Sequence, residues 1–341
     1  MPKSFACYAT LGGALLVTVS ALLTGCSGGT LPDDPFGTPT PFTTPTPTPS
    51  TTPTPAPTTG IFVADRTQGR VTRIADIAGT GRIDYGLPGS GTGQFNTPRG
   101  VTLDSSGRVY VADSLNQRVV RVNDVSGTGF VAYGSLGTGT GQFSTPVGVA
   151  VDADGRIYVA DIGNNRIVRM DDLSGTNFTA YGPLGTSGTQ SFGGVAVDTN
   201  KRIYAIDSVG GRIVRIDNMT GANLVNLDVY AAAPTGSEIV VRQLSGVAVG
   251  SDGKIYTCDR SGGRVVRFDD MTGANPQVLS TSPDGLGHLN SPSGIAFDAS
   301  GHLYICDTGN ARVIRVDDIS GANWATFGGG AYGIPEGIAV K

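Results

Sequence analysis

The stretch Ile157-Tyr-Val-Ala-Asp161 decides the fold, because five variants of it punctuate the rest of the chain. They read Ile61-Phe-Val-Ala-Asp65, Val109-Tyr-Val-Ala-Asp113, Ile203-Tyr-Ala-Ile-Asp207, Ile255-Tyr-Thr-Cys-Asp259 and Leu303-Tyr-Ile-Cys-Asp307. The six copies start at residues 61, 109, 157, 203, 255 and 303, so the spacings are 48, 48, 46, 52 and 48. A repeat near 50 residues carrying four strand-like runs is the signature of a β-propeller.

Working outward from the third copy gives the unit. Gly148-Val-Ala-Val-Asp152 is a continuous apolar run, as an innermost strand buried on both faces requires. Ala153-Asp-Gly155 is a tight hairpin turn. The quoted phrase is the second strand, Arg166-Ile-Val-Arg-Met170 the third and Phe178-Thr-Ala-Tyr181 the outer one. Alternation sends Tyr158 and Ala160 to one side of the blade and Ile157 and Val159 to the other. The aromatic recurs with the period of the repeat, which points to packing of blade on blade rather than to a sugar-binding set.

The two ends predict how the ring closes. Pro335-Glu-Gly-Ile-Ala-Val340-Lys is an innermost strand with nothing after it, and Ile61 opens a second strand with no innermost strand before it. The two halves complete one blade and leave no free edge. The expected fold is therefore all-β, a six-bladed propeller with four-stranded blades closed by the terminal strands.

Each phrase-ending Asp is followed five residues on by Arg, as in Asp113/Arg118, Asp161/Arg166 and Asp307/Arg312. In a hairpin these positions face each other, so they are predicted structural ion pairs worth roughly 0.2–1 kcal/mol each. Cys258 and Cys306 occupy one slot of neighbouring repeats, where the others place Ala64, Ala112, Ala160 and Ile206; such positions point the same way around a ring and are expected to be free small apolar residues, not a disulfide.

The motif Pro-x-Gly-Val-Ala-Val-Asp, a Gly turn, Ile-Tyr-Val-Ala-Asp, a short loop with Asn and then Arg-Ile/Val resembles the NHL-repeat family. It stands most clearly at Pro146–Val168 and Pro292–Ile314, and the likeness covers residues 61–341. The resemblance implies six blades and a binding platform of the kind found in sensors, receptors and cell-surface proteins. Some similar propellers are enzymes, including lactonases and lyases.

Strand direction assigns the loops to faces. The second-to-third strand loops and the outer-to-inner returns share one face. The residue before each inner-strand Gly lies at the channel mouth on that face: Arg99, Val147, Gly193, Ser245, Ser293 and Glu336. Arg99 and Glu336 fall on adjacent blades by the closure argument and are expected to pair. The loops of this face differ most among repeats, and recognition commonly sits in such loops. Arg66, Asn116, Gln117, Asn164, Asn165, Arg260 and Asn310 therefore join Arg99 and Glu336 as candidate binding residues. The fourth repeat adds an insertion near Ala231–Glu238.

No catalytic set is predicted. Lactonase-like propellers hold a channel metal with several carboxylate or amide ligands, and only Glu336 at the mouth positions could serve. Lyase-like propellers use central His; His288 and His302 stand where other repeats have Gln94 or Gln142 and Arg108 or Arg156, so they read as repeat variants. The Gly-Thr-Gly-Thr-Gly run at 137–141 has no following helix and is no phosphate cradle. The Asp171-Asp172, Asp269-Asp270 and Asp317-Asp318 turns are read as self-capping rather than as Ca²⁺ loops. No metal or cofactor is expected. The absence of Cys-x-x-Cys-His speaks against covalent haem, and a net charge of -4 against a basic nucleic-acid footprint.

The remaining segments concern location. Residues 1–25 read as a signal peptide with Lys3 at its start and a short apolar stretch. Its ending, Leu23-Thr-Gly-Cys26, resembles the lipobox of bacterial lipoproteins, in which lipid is attached to the Cys. Ser27 follows, and the resemblance then implies outer-membrane sorting in the cell envelope. Residues 26–60 form a Thr/Pro-rich linker that cannot bury apolar area and reaches roughly 100 Å when extended. The expected function is a membrane-anchored extracytoplasmic platform for a protein, glycan or small-molecule partner. The alternatives are a lactonase- or lyase-like propeller enzyme using the mouth, and a structural cell-surface protein.

Overall fold

The computed structural model describes residues 60–183, 192–232, 243–283, 285 and 287–341. The leader, Cys26, the linker and most of the insertion after Ala232 lie outside the described residues. Among the described residues there are six four-stranded antiparallel sheets, each running from an inner to an outer strand. The third blade, for example, is Pro146–Val151, Ile157–Asp161, Arg166–Met170 and Thr179–Tyr181. The first is Pro335–Val340, Ile61–Asp65, Arg70–Ile74 and Ile83–Tyr85, sewn from both ends of the chain. Its register runs Ile61↔Val340 to Ala64↔Gly337, and the amides of Gly60 and Lys341 each donate to the other's carbonyl at 2.8 and 3.0 Å.

The core is split into six apolar wedges, one between each pair of neighbouring blades. Tyr158 and Ala160 pack on Val195 and Ile203 of the fourth blade, while Ile157 and Val159 pack on Tyr110 and Ala112 of the second. Cys258 and Cys306 are free and buried in this packing. The tyrosine hydroxyls need a partner in such a setting, and in the second, third, fourth and sixth blades they find it in the Asp that ends the inner strand. Tyr110, Tyr158, Tyr204 and Tyr304 donate to Asp104, Asp152, Asp198 and Asp298 at 3.0–3.2 Å. In the first blade the inner strand ends in Lys341 instead, and the aromatic there is Phe62, which has no hydroxyl to satisfy.

Inner strands of adjacent blades approach backbone to backbone around the channel. A Cβ on Gly246 would lie 2.2 Å from the Ser293 carbonyl oxygen, and one on Gly337 2.2 Å from that of Arg99. Those glycines are what lets six strands crowd one axis. Two short parallel ladders, Leu87–Pro88 with Gln94–Phe95 and Ser135–Leu136 with Gln142–Phe143, fold the first two returns to the centre. The Gln94 and Gln142 side chains brace them by accepting from the amides of Gly91 and Gly139 at 2.9 Å.

Candidate functional site

The second-to-third strand loops fall into two kinds, and the difference decides what each loop can do. In the second, third and sixth blades the loop is a single 3-10 turn, Ser114–Asn116, Ile162–Asn164 or Thr308–Asn310. The Asn side chain at its end donates to the phrase-ending Asp, as Asn116 does to Asp113 at 2.8 Å, Asn164 to Asp161 at 2.7 Å and Asn310 to Asp307 at 2.8 Å. Each also donates to a return-loop carbonyl, of Gly89, Gly137 or His288. Gln117 and Asn165 follow in the left-handed region, at φ 55 and 52. Gln117 accepts from the Thr145 amide, and the Asn165 Oδ1 is buried without a hydrogen-bond partner. These candidate residues are thus held at the rim by loop contacts and are not brought together with the arginines.

The predicted Asp–Arg pairs form in five blades. Arg118, Arg166, Arg212, Arg264 and Arg312 meet Asp113, Asp161, Asp207, Asp259 and Asp307 at 2.7–2.9 Å. The carboxylates are nearly or fully buried, so these are more than ladder pairs. Asp113 also accepts from the Asn96 amide and Asp161 from that of Ser144. Arg118 reaches on to the carbonyls of Ser90, Gly91 and Gln94, tying the return loop to the hairpin. Burial pushes the Asp113 and Asp161 carboxyls above the ordinary value, against the pull of their donors. The first blade departs from the pattern. Asp65 and Arg70 are register partners, but Arg70 pairs with Asp84 of the outer strand at 3.0 Å. Asp65 instead accepts the amides of Gln68, Gly333 and Ile334, which hold the closing strand in place.

In the first, fourth and fifth blades the loop is a plain turn, capped by the Asp accepting the amide three residues on, that of Gln68, Gly210 or Gly262. Two of these turns begin with arginine, Arg66 and Arg260. A bulge at the start of the inner strands does the rest. Two residues of the inner strand oppose one of its neighbour between Pro98 and Val101, and again between Pro335 and Gly337. Bulges re-aim side chains, and here Arg99 and Glu336 are turned toward the channel.

The outcome is a cluster at one end of the channel. Glu336 is buried, with 7% of its side chain exposed. Arg99 Nε lies 3.5 Å from its Oε2, and Arg66 and Arg260 Nη1 lie 3.6 and 3.3 Å from its Oε1. Arg99 Nε and Glu336 Oε2 are both buried without a hydrogen-bond partner. Burial draws the Arg99 guanidinium below its ordinary value; Glu336 opposes this, and the charges of Arg66 and Arg260 add to it. Three cations share one anion. The mouth opens into a cavity of about 780 Å³ whose wall includes all six residues that precede the inner-strand glycines: Arg99, Val147, Gly193, Ser245, Ser293 and Glu336. The hydroxyls of Ser245 and Ser293 donate to Pro292 and Glu336 carbonyls at 3.0 and 2.8 Å, lacing neighbouring blades together.

The two histidines take the places of the residues they replace. His302 Nδ1 sits 2.7 Å from Asp298 as Arg108 sits beside Asp104, and the His288 carbonyl accepts from Arg312. The Asp-Asp turns are self-capped: Asp172 accepts the Ser174 amide and hydroxyl, and Asp171 the Asn177 amide group. Among the described residues no three His, Cys, Asp or Glu side chains converge as a metal-binding group.

The architecture and its repeats define a class of protein. The NHL repeat family model matches residues 95–121, 143–170 and 289–315, and with six blades in the fold this supports the NHL-repeat propeller family. Solved structures of similar fold include a chain of a nidogen/laminin complex, at TM-score 0.63 and 17% identity over 83% of this chain and 98% of that one. Virginiamycin B lyase from Staphylococcus aureus is similar at TM-score 0.55 and 17% identity, over 83% and 91% of the two chains. A streptogramin B lyase is similar at TM-score 0.56 and 15% identity, over 82% and 86%. No curated protein matches.

Proposed function

We propose that the propeller is a binding platform that recognises its partner through the loop face around the channel mouth. The observation that carries this reading is the break in the repeat. The Asp and Arg that flank each of these loops recur in every blade, but Arg66 and Arg260 stand where other repeats have Ser114, Ile162, Ser208 and Thr308. They join Arg99 and Glu336 in a charged cluster beside a ligand-sized cavity, at ion-pair distances longer than those of the blade staples. The likeness to nidogen/laminin and lyase structures supports the fold alone, so the recognition role rests on the mouth. In this reading Cys26 carries lipid, the Thr/Pro-rich linker is a spacer, and the platform works outside the cytoplasm at the bacterial outer membrane.

Two measurements test it. The whole chain, solubilised from its envelope, should capture a partner, and Arg99→Ala with Glu336→Ala should abolish that capture; full retention would move the recognition surface elsewhere. Cys26→Ser should release the protein from the membrane fraction, and unchanged membrane partition would overturn the anchor.

A further inference from the structure

The mouth has two unlike sides. One side presents Arg99 of the second blade and Arg260 of the fifth, which line the cavity and, with Arg66 of the first blade outside that lining, share the single carboxylate of Glu336. Three guanidiniums around one carboxylate leave positive charge in excess within the cluster. The Asp65 carboxylate next to Arg66 keeps its charge, since the backbone amides of Gln68, Gly333 and Ile334 that it accepts are neutral, but it is held against the closing strand rather than on the guanidiniums of the cluster. The opposite side is apolar. Val147 and Ile162 of the third blade and Val209 of the fourth line the same cavity, and Val209 is 53% exposed. At about 780 Å³ the cavity falls within the range of small-molecule sites. Guanidinium recognises planar or tetrahedral oxyanions through paired N–H donors. The long Arg–Glu distances and the unpartnered Arg99 Nε mean that these donors are not saturated by Glu336.

Resting on the platform reading, we propose that the mouth binds a small amphiphilic anion, an oxyanion (carboxylate or phosphate) carried on an apolar body. The oxyanion sits against Arg99 and Arg260, and the body lies over Ile162 and Val209. Glu336 acts as a built-in competitor: it holds the arginines in the empty site and limits affinity when a ligand arrives.

Calorimetric titration of the whole chain tests this with octanoate, octyl phosphate, 1-octanol, octylammonium, acetate and inorganic phosphate. Octanoate or octyl phosphate is expected to bind at least ten-fold more tightly than every other probe, and the tighter of the two identifies the head group. Arg260→Gln should weaken that binding at least ten-fold. Val209→Ser should weaken it several-fold while leaving acetate binding unchanged. Glu336→Gln should tighten it several-fold, which a purely structural role for Glu336 does not predict; if that variant does not fold, Arg260→Gln decides. Octanol binding as tightly as octanoate, inorganic phosphate binding as tightly as octyl phosphate, or unchanged affinity in Arg260→Gln would overturn the proposal. Partner capture is measured on the same preparation. Loss of anion binding with capture intact overturns this inference alone, whereas absence of both overturns the platform reading as well.

Discussion

Two sets of arginine–carboxylate contacts lie on the same face of the propeller and are built differently. The blade staples, such as Arg166 on Asp161, close at 2.7–2.9 Å on buried carboxylates. In the second, third and sixth blades the acceptor oxygens are further engaged by Asn side chains and loop amides, and the guanidinium continues into return-loop carbonyls. The mouth contacts stand at 3.3–3.6 Å, three arginines to one carboxylate, with buried atoms left unpartnered. Charge-assisted hydrogen bonds in their best geometry are about 2.7–2.9 Å. A contact that repeats from blade to blade, and in the second, third and sixth blades is further engaged on both sides, serves the fold. A contact that occurs once and is unsaturated is available for something else.

That contrast can be broken most forcefully at the closure. Removing Gly337–Lys341 takes away the strand that pairs with Ile61–Asp65 and opens the ring. The expected effect is the largest of any change considered, loss of the cooperative thermal transition of the propeller. An unchanged melting temperature would contradict the closure account. Next comes a staple. Asp161→Ala leaves Arg166, Asn164 and the Ser144 amide without their acceptor and should cost about 3–5 kcal/mol in urea unfolding, the usual penalty for breaking a buried pair. A smaller change is expected from Tyr158→Phe, which removes one buried hydroxyl bond to Asp152; about 1 kcal/mol of stability should go, because Asp152 still accepts the amides of Asp154 and Arg156. The smallest is Arg260→Gln, under about 1 kcal/mol, since a partly exposed pair at 3.3 Å contributes little to folding.

The six phrases made the blade, its strand order, the interblade side of each tyrosine and the terminal closure legible, because a structural period repeats its own evidence. The Arg99–Glu336 contact was legible too, since closure makes their strands neighbours. Arg260 was a candidate only as a variable loop residue. It lies 76 residues from Glu336 along the chain and reaches it across the sixth blade, a contact no local pattern encodes. The exchange of Arg70 from Asp65 to Asp84 was hidden for a different reason. It depends on an acidic residue in the outer strand, and on the closing strand claiming Asp65 through its amides. The two kinds of loop were written in the sequence as Asp-x-x-Asn-x-Arg, against turns with Gly just before the Arg. Their consequence is the bracing of Asn116, Asn164 and Asn310 and the freedom of Arg66 and Arg260, and it needed the hydrogen bonds to be seen.

The central claim is that the mouth arginines serve recognition and the staples serve the fold, and one paired measurement on the double variant Arg66→Gln/Arg260→Gln tests it. This variant leaves Arg99 to balance Glu336, and its melting temperature and its octanoate affinity are both read against the unaltered chain. The account predicts a melting temperature within a few degrees of the parent and an affinity lowered at least ten-fold. A melting temperature lowered as far as that of Asp161→Ala, with octanoate binding unchanged, would contradict it.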